Sequence, residues 1–439
     1  MKRVPTIAAV LLALALSACA TVPTGQGSAG PGSAGAGGVP GTADTKTAVA
    51  QATVKAAQYD YDGALALLAS DNSADATKAK ADIGQAKDAA QPWTEPSKVP
   101  HLFWHPLVID PQRAFHSPDV PRIDRAGNAQ YMVTQKEFAA QLQSIYDKGY
   151  VLVHPERLYA LDGSGAMEPA TEPIRLPAGK KPLVISEDDA NYYGRWDNAG
   201  FPRQLKIAAD GTVVNTYQDA QGQWSEGAYD VITVVDAFVR EHPDFSYRGD
   251  KGSIAVTGYE GVLGYRSSAK KYGASDTTKQ AAADAKKVAD ALKADGWHFA
   301  CHTWNHISYQ ASTPAQIAAD MDLWKAEVGS IVGPTDELIY AFGSDVQFGI
   351  GKTYAPTDPK YKLLKDAGFN YFFPIDNTSP YYAQVKDGYY RQWRVNIDGI
   401  TMQKVLDGKP SALPLFFDTK ALWDPDRPKP TPKDATGVS

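Results

Sequence analysis

From about Trp93 onward, short and nearly continuous apolar runs alternate with longer stretches whose apolar residues recur every three or four positions. HLFWHPLVI, YVLVH, KPLVIS, SIAVTGYEG, ELIYAFG and NYFFPID belong to the first kind, the pattern of strands buried on both faces. The second kind carries helix punctuation. Thr134-x-x-Glu137 is a capping box opening a helix that buries Phe138, Leu142 and Ile145 and stops at Gly149. Thr313-Pro314 supplies a cap and a first-turn proline to a helix whose Ile317, Met321, Trp324 and Val328 share one face. YDVITVVDAFVREH, TKQAAADAKKVADALKADG and YKLLKDAGF complete the alternation, which predicts a parallel α/β architecture, open or closed into a barrel. One segment departs from it: LKIAADGTVVNTYQ, within 204–224, reads as an inserted hairpin turning at Asp210-Gly211.

The first 92 residues follow other rules. Residues 1–18 join Lys2 and Arg3 to an apolar run, the form of a secretory signal peptide. They end in Leu16-Ser17-Ala18-Cys19, which resembles the lipobox of bacterial lipoproteins; that resemblance implies lipidation of Cys19 and an extracytoplasmic, membrane-anchored protein. Residues 19–44 are rich in Gly, Ala, Ser and Pro and read as a flexible tether. Residues 45–92 are Ala-rich with helical spacing and predict a small helical hairpin, a spacer or docking element. The main domain is expected over 93–427 and a loose tail over 428–439. A formal charge of −6 does not recommend nucleic acid as a partner. With only two cysteines, Cys19 and Cys301, an exported chain of this size has no disulfide framework and must rely on its core.

In parallel α/β folds reactive groups collect at the C-terminal ends of strands. Two strand ends here carry metal-capable residues: PLVIS delivers Glu187, Asp188 and Asp189, and HFAC delivers His302 and His306. Two imidazoles and a carboxylate make a facial set that leaves positions open on zinc or a similar ion. A further carboxylate beside the set is what amide hydrolysis needs, as the base that takes a proton from water. A solvated acidic turn and two loop histidines fit the same residues.

SEDDA, then HTWNH, then IYAFG, in that order, resemble the three leading motifs of the NodB-homology polysaccharide deacetylases over roughly residues 100 to 400. The resemblance implies a distorted (β/α) barrel with fewer than eight complete units. It implies Asp188 as general base and Asp189, His302 and His306 as ligands of one divalent metal, zinc first, with cobalt, nickel or manganese as alternatives. The backbone N–H of Phe342 would face the oxyanion, Thr303 would brace the loop, and the substrate would be an N-acetylated cell-wall or exported glycan. Oligomeric state is left open.

The departures are specific. Glu187 and Ala190 flank the aspartates where Phe and Gly are usual, and Ile339 and Ala341 stand where the third motif has Arg and Pro. No histidine follows His306, so the C-terminal acid of the family is missing. His105, in FWHPL, is the first candidate to replace it and His154 the second; His298 has no catalytic case. Tyr192, Tyr193 and Trp304 are candidate platforms for sugar faces. Asp345 and Asp398 read as turn stabilisers, and Glu260 at most as a substrate contact. The rival readings are a non-catalytic glycan-binding domain of the same fold and a metal-dependent hydrolase of another amide or ester.

Overall fold

The computed structural model describes residues 43–347, 349 and 351–430, and from Thr45 onward they form one compact unit. The expected signal peptide, Cys19, nearly all of the tether and the last nine residues lie outside the described residues.

Ten strands form the main sheet: β1 (His101–Trp104), β2 (Tyr150–Leu152), β3 (Lys181–Glu187), β4 (Ser253–Val256), β5 (His298–Cys301), β6 (Glu337–Ile339), β7 (Tyr371–Phe373), β8 (Ala383–Lys386), β9 (Tyr389–Gln392) and β10 (Val395–Asn396). Their order is β8-β9-β7-β6-β5-β4-β3-β1-β10, with β2 on the N-terminal half of β3, and every pair is parallel except β8 with β9. β9 and β10 are successive pieces of one run. It pairs with β7 through Tyr390 and Arg391, meets Ile375 through Arg394, and pairs with β1 through Val395 and Asn396. The sheet therefore curls until its two ends share this run.

Side-chain alternation sorts the strands into two faces. Leu183, Ile185, Ile254, Val256, Phe299, Cys301, Leu338 and Phe372 pack outward in one cluster with helix residues such as Phe138, Val235, Val288 and Ile317. Val184, Ala255, Ala300, Ile339 and Phe373 belong to a second, inner cluster. Three N-terminal helices, Ala43–Ala57, Tyr61–Leu67 and Ala74–Ala89, contribute Ala52, Tyr61, Ala64, Ala76 and Ile83 to that inner cluster, and Tyr59 joins it from the link between the first two. They are therefore packed onto the sheet, and the Tyr59 hydroxyl donates to the carbonyl of Asp244 at 2.7 Å.

Local signals act as their chemistry requires. The Thr134–Glu137 capping box is complete at the start of helix Gln135–Asp147, and Gly149 follows at φ 81°. Glu137 also receives the guanidinium of the fully buried Arg427, which ties the chain's C-terminal segment to this helix. Thr313 caps Pro314–Trp324 through Gln316. The inserted hairpin is a three-stranded antiparallel sheet, Gln204–Ile207, Val213–Gln218 and Trp224–Gly227, one strand more than the sequence pattern indicated. Cys301 is free and fully buried.

Candidate active site

Alternation along the strands carries inner-face residues past their C-terminal ends: Asp188 two positions after Ser186, His302 two after Ala300, His105 two after Phe103. The chain then turns sharply. Asp189 (φ 62°), Thr303 (62°), His306 (49°) and Phe342 (59°) all hold left-handed backbone without being glycine. Each such residue costs about 1–3 kcal/mol, and strain of this kind persists only where surrounding contacts enforce it.

Those contacts are visible around the loop 302–306. Asp320, on the following helix, accepts from the backbone N–H groups of Trp304 (2.7 Å) and Asn305 (2.9 Å). Thr303 Oγ1 accepts from the N–H of Ile307 at 3.0 Å, bracing the loop. The N–H groups of Gly258 and Tyr259 donate to the Trp304 carbonyl at 2.9 and 3.0 Å. Gly258 is required there, because a Cβ would stand 2.1 Å from Trp304 Cδ1. The loop is a tight turn rather than a helical one, and it brings both imidazoles to Asp189.

His302 Nε2 and His306 Nε2 lie 3.8 and 3.9 Å from Asp189 Oδ1, and the three residues form a cluster able to hold a metal ion. His302 Nδ1 donates to the Ile339 carbonyl at 2.8 Å, which fixes the tautomer and leaves the Nε2 lone pair free. Asp189 Oδ1 accepts from the Tyr193 hydroxyl at 2.7 Å, and Tyr193 also pairs with Thr257 Oγ1 at 2.7 Å. Burial, helped by His302, pushes His306 down to about 4 while Asp189 pulls the other way, so its imidazole is neutral near pH 7. Neutral nitrogens and an ionised oxygen are the donor set a divalent ion takes; two ligands at about 2.1 Å on a tetrahedral ion stand about 3.4 Å apart. Closing by a few tenths of an ångström suffices.

Asp188 stands apart from this set. The fully buried Arg394 donates Nη1 to Asp188 Oδ1 at 2.6 Å and Nη2 to Oδ2 at 2.9 Å, and Nη1 also reaches Ser186 Oγ at 3.1 Å. Burial by itself would raise the Asp188 carboxyl; the guanidinium outweighs it and holds the group below the usual carboxylate range. Sequence reading missed Arg394 and looked for an arginine at position 339. Its signal was present: an arginine inside the apolar run YYRQWRVNI is buried and needs a carboxylate.

His105, Asp188, Asp189, His302, His306 and Phe342 line one cavity of about 280 Å³, walled further by Tyr131, Met132, Arg195, Ile375 and Asn396. His105 Nδ1 is buried and has no hydrogen-bond partner among the described residues. Burial lowers its pKa, with Asp188 and Asp189 pulling upward. None of residues 204–227 lines the cavity.

Other expectations need correcting. Tyr192, Tyr193 and Trp304 are 1, 2 and 7 % exposed, so no ring face is open to a sugar. Tyr193 orients Asp189, Tyr192 accepts from Asn215 Nδ2 at 3.0 Å, and Trp304 donates Nε1 to Glu327 at 3.0 Å. His154 lies away from the cavity, beside Glu337 at the first residue of β6, where it cannot serve as an acid. Asp345 accepts from Arg391 and Tyr354, Asp398 caps helix Gly399–Leu406, and Glu260 is held by Gly194 and Lys271.

The polysaccharide deacetylase family matches residues 270–345, a stretch that contains His302, His306 and Phe342. Over that stretch the chain is similar to the polysaccharide deacetylase family. The match supports reading the chain as a hydrolase of carbon–nitrogen bonds. Asp188 and Asp189 lie outside the matched stretch, so their membership of the site comes from the geometry above. No curated protein matches this chain. Among solved structures, the Streptococcus pyogenes deacetylase PplD, in complex with acetate, is similar at 16% identity over 72% of this chain and 98% of that one, with a TM-score of 0.37. A likeness that distant decides nothing about this chain.

Proposed function

We propose that this chain is a deacetylase that removes N-acetyl groups from an amino-sugar polysaccharide of the cell wall or an exported glycan, using one divalent ion, on a distorted (β/α) barrel tethered outside the cytoplasm by a lipid on Cys19. The observation that carries the reading is the set of buried Asp189 and His302 with the partly exposed His306, beside a carboxylate that is not part of it and has its own arginine.

An ion held by those three residues supplies Lewis acidity toward the acetamido carbonyl and lowers the pKa of water. The chain's residues do the rest. Asp188, kept ionised and aligned by Arg394, takes the proton from the attacking water. The backbone N–H of Phe342, at the cavity wall, faces the oxygen that gains charge as the carbonyl becomes tetrahedral. Burial keeps His105 neutral at rest, so the proton it hands to the nitrogen as the carbon–nitrogen bond breaks is the one Asp188 took from water, passed on within the cavity, and both residues return to their starting state. A cavity of about 280 Å³ suits an acetamido group and part of one ring, with the remaining glycan outside.

The test is to strip the purified full-length protein with a chelator and titrate zinc and cobalt into wild type and His302→Ala. Acetate release from N-acetylglucosamine oligomers is then measured with Asp188→Asn as control. Metal-dependent release abolished in both variants supports the reading. A folded wild type whose release of acetate is indifferent to metal and to His302 would refute it. Release from simple acetyl esters alone would move the substrate class.

A further inference from the structure

Beside the reacting groups, the cavity of Asp188 and Asp189 is lined by one arginine, Arg195, to which the chemistry above gives no task. It sits in the short helical turn Gly194–Trp196, just beyond Asp189 in the chain. Its guanidinium carbon lies over two rings, 5.3 Å from the centre of Tyr193 and 5.2 Å from that of Trp196. Both rings are buried, and their centres are 5.0 Å apart. Tyr193 also donates its hydroxyl to Asp189 Oδ1, so one side chain positions the Asp189 carboxylate and the guanidinium together.

Stacking uses the faces of a guanidinium and leaves its in-plane N–H donors free. Arg195 is exposed, and those donors meet no acceptor among the described residues. The carboxylates around this turn are already engaged. Asp197 pairs with Arg203 at 2.8 Å and lies 3.7 Å from Arg266. Glu260 accepts from the N–H of Gly194 at 2.6 Å and from Lys271 at 2.5 Å, and Arg266 stands 3.7 Å away. Four cationic side chains thus share two carboxylates, and the one left over is the one that lines the cavity. A guanidinium held flat on aromatic rings with its N–H fork unused is prepared for a carboxylate or phosphate, which it can take through two bonds at once.

We propose that Arg195 binds an anionic substituent, a carboxylate or a phosphate, on the N-acetylated sugar or its immediate neighbour, so that the preferred substrate is an acidic glycan rather than a neutral polymer of N-acetylglucosamine. This rests on the deacetylase reading and narrows its substrate class. A cavity of about 280 Å³ holds the acetamido group and part of one ring, which keeps the anion within about one sugar of the bond that breaks. Arg195 touches none of the reacting atoms in this assignment; it sets which glycan enters and in which direction the strand lies.

The experiment measures acetate release by zinc-loaded, full-length protein from three oligomers of equal length: neutral N-acetylglucosamine, the same chain with an ether-linked carboxylate on alternate sugars, and the same chain with phosphate on alternate sugars. Wild type should favour at least one acidic oligomer over the neutral one by about tenfold in kcat/KM, mainly through KM, and salt at about 0.5 M should erode that preference. Which acidic oligomer is favoured tells carboxylate from phosphate. Arg195→Met should bring the acidic-to-neutral ratio close to one, Arg195→Lys should fall between, and Arg195→Glu should invert it. A merely structural role would lower release from all three oligomers alike. Arg195→Gln supplies the comparison if the methionine variant does not fold. Equal kcat/KM on all three oligomers in wild type, or a preference that survives in Arg195→Met or Arg195→Gln, overturns the proposal and leaves the deacetylase reading standing. No acetate from any oligomer overturns both.

Discussion

Arg394→Met isolates what the buried guanidinium does. Methionine keeps much of the volume against Phe103, over whose ring the Arg394 guanidinium carbon sits at 3.9 Å, but removes two charge-assisted bonds to Asp188 and one to Ser186. Both members of the pair are essentially without solvent, at 0 and 3 % side-chain exposure, so water cannot replace the lost partner. Breaking a buried pair from one side costs about 3–5 kcal/mol, and the metal-stripped variant should lose that much in urea denaturation. Deacetylation should fall in kcat by about 10²–10³-fold, within the range for losing a positioned base, while zinc stoichiometry is retained. Arg394→Lys keeps a charge but not the fork, and should lie between. The decisive comparison is a cycle with Asp188→Asn: once the carboxylate is gone the arginine has no charge to serve, so the two losses should couple by roughly 2–3 kcal/mol. Additive losses, or an Arg394→Met protein within about 1 kcal/mol of wild type with unchanged kcat, would refute the pairing as the means by which Asp188 is held.

Three further outcomes follow from the same geometry. His105→Gln should lower kcat by about 10²-fold or more with little change in KM or in zinc affinity, checked by steady-state acetate release; an unchanged kcat removes His105 as the proton donor. Asp398 is raised by burial, the leading cause, from 3.8 to about 6, so its ionised form is disfavoured in the folded protein and costs stability as pH climbs through 6, with no cost below 4. A gap of about two units is worth roughly 3 kcal/mol, so Asp398→Asn, which keeps a capping oxygen, should be more stable than wild type by up to that amount at pH 8 and equal to it at pH 4; equal offsets at both pH values would contradict this. Gly258→Ala forces a methyl into Trp304 and should cost about 1–3 kcal/mol while weakening zinc binding at His302 and His306, read by thermal melts with and without metal; unaltered affinity would show that the loop tolerates the shift.

Local chemistry carried much of the architecture. Apolar runs without alternation became parallel strands because both faces are covered, and the Thr134 and Thr313 caps start helices where their side chains meet orphan N–H groups. The grouping of Asp189, His302 and His306 was legible because strand ends and a four-residue spacing are local facts: Asp189 follows β3, and His302 and His306 follow β5. The aromatic platforms were misread for the opposite reason. Exposure of a loop tyrosine depends on what packs over it, and Thr257 and Asn215 arrive from elsewhere in the chain.

By itself, then, the sequence determined the alternating α/β order, the two strand ends that bear Asp188, Asp189, His302 and His306, and the absence of a histidine beyond His306. Tertiary structure alone decided which arginine serves Asp188. Arg394 is more than two hundred positions away, and it meets the carboxylate only because the run from Tyr389 to Asn396 borders both β7 and β1. It also decided that His154, His298 and Glu337 come together at the other end of the same interior. Spacing along a chain fixes which residues share a strand face; how a curled sheet brings distant strands side by side depends on pairings that no local pattern encodes.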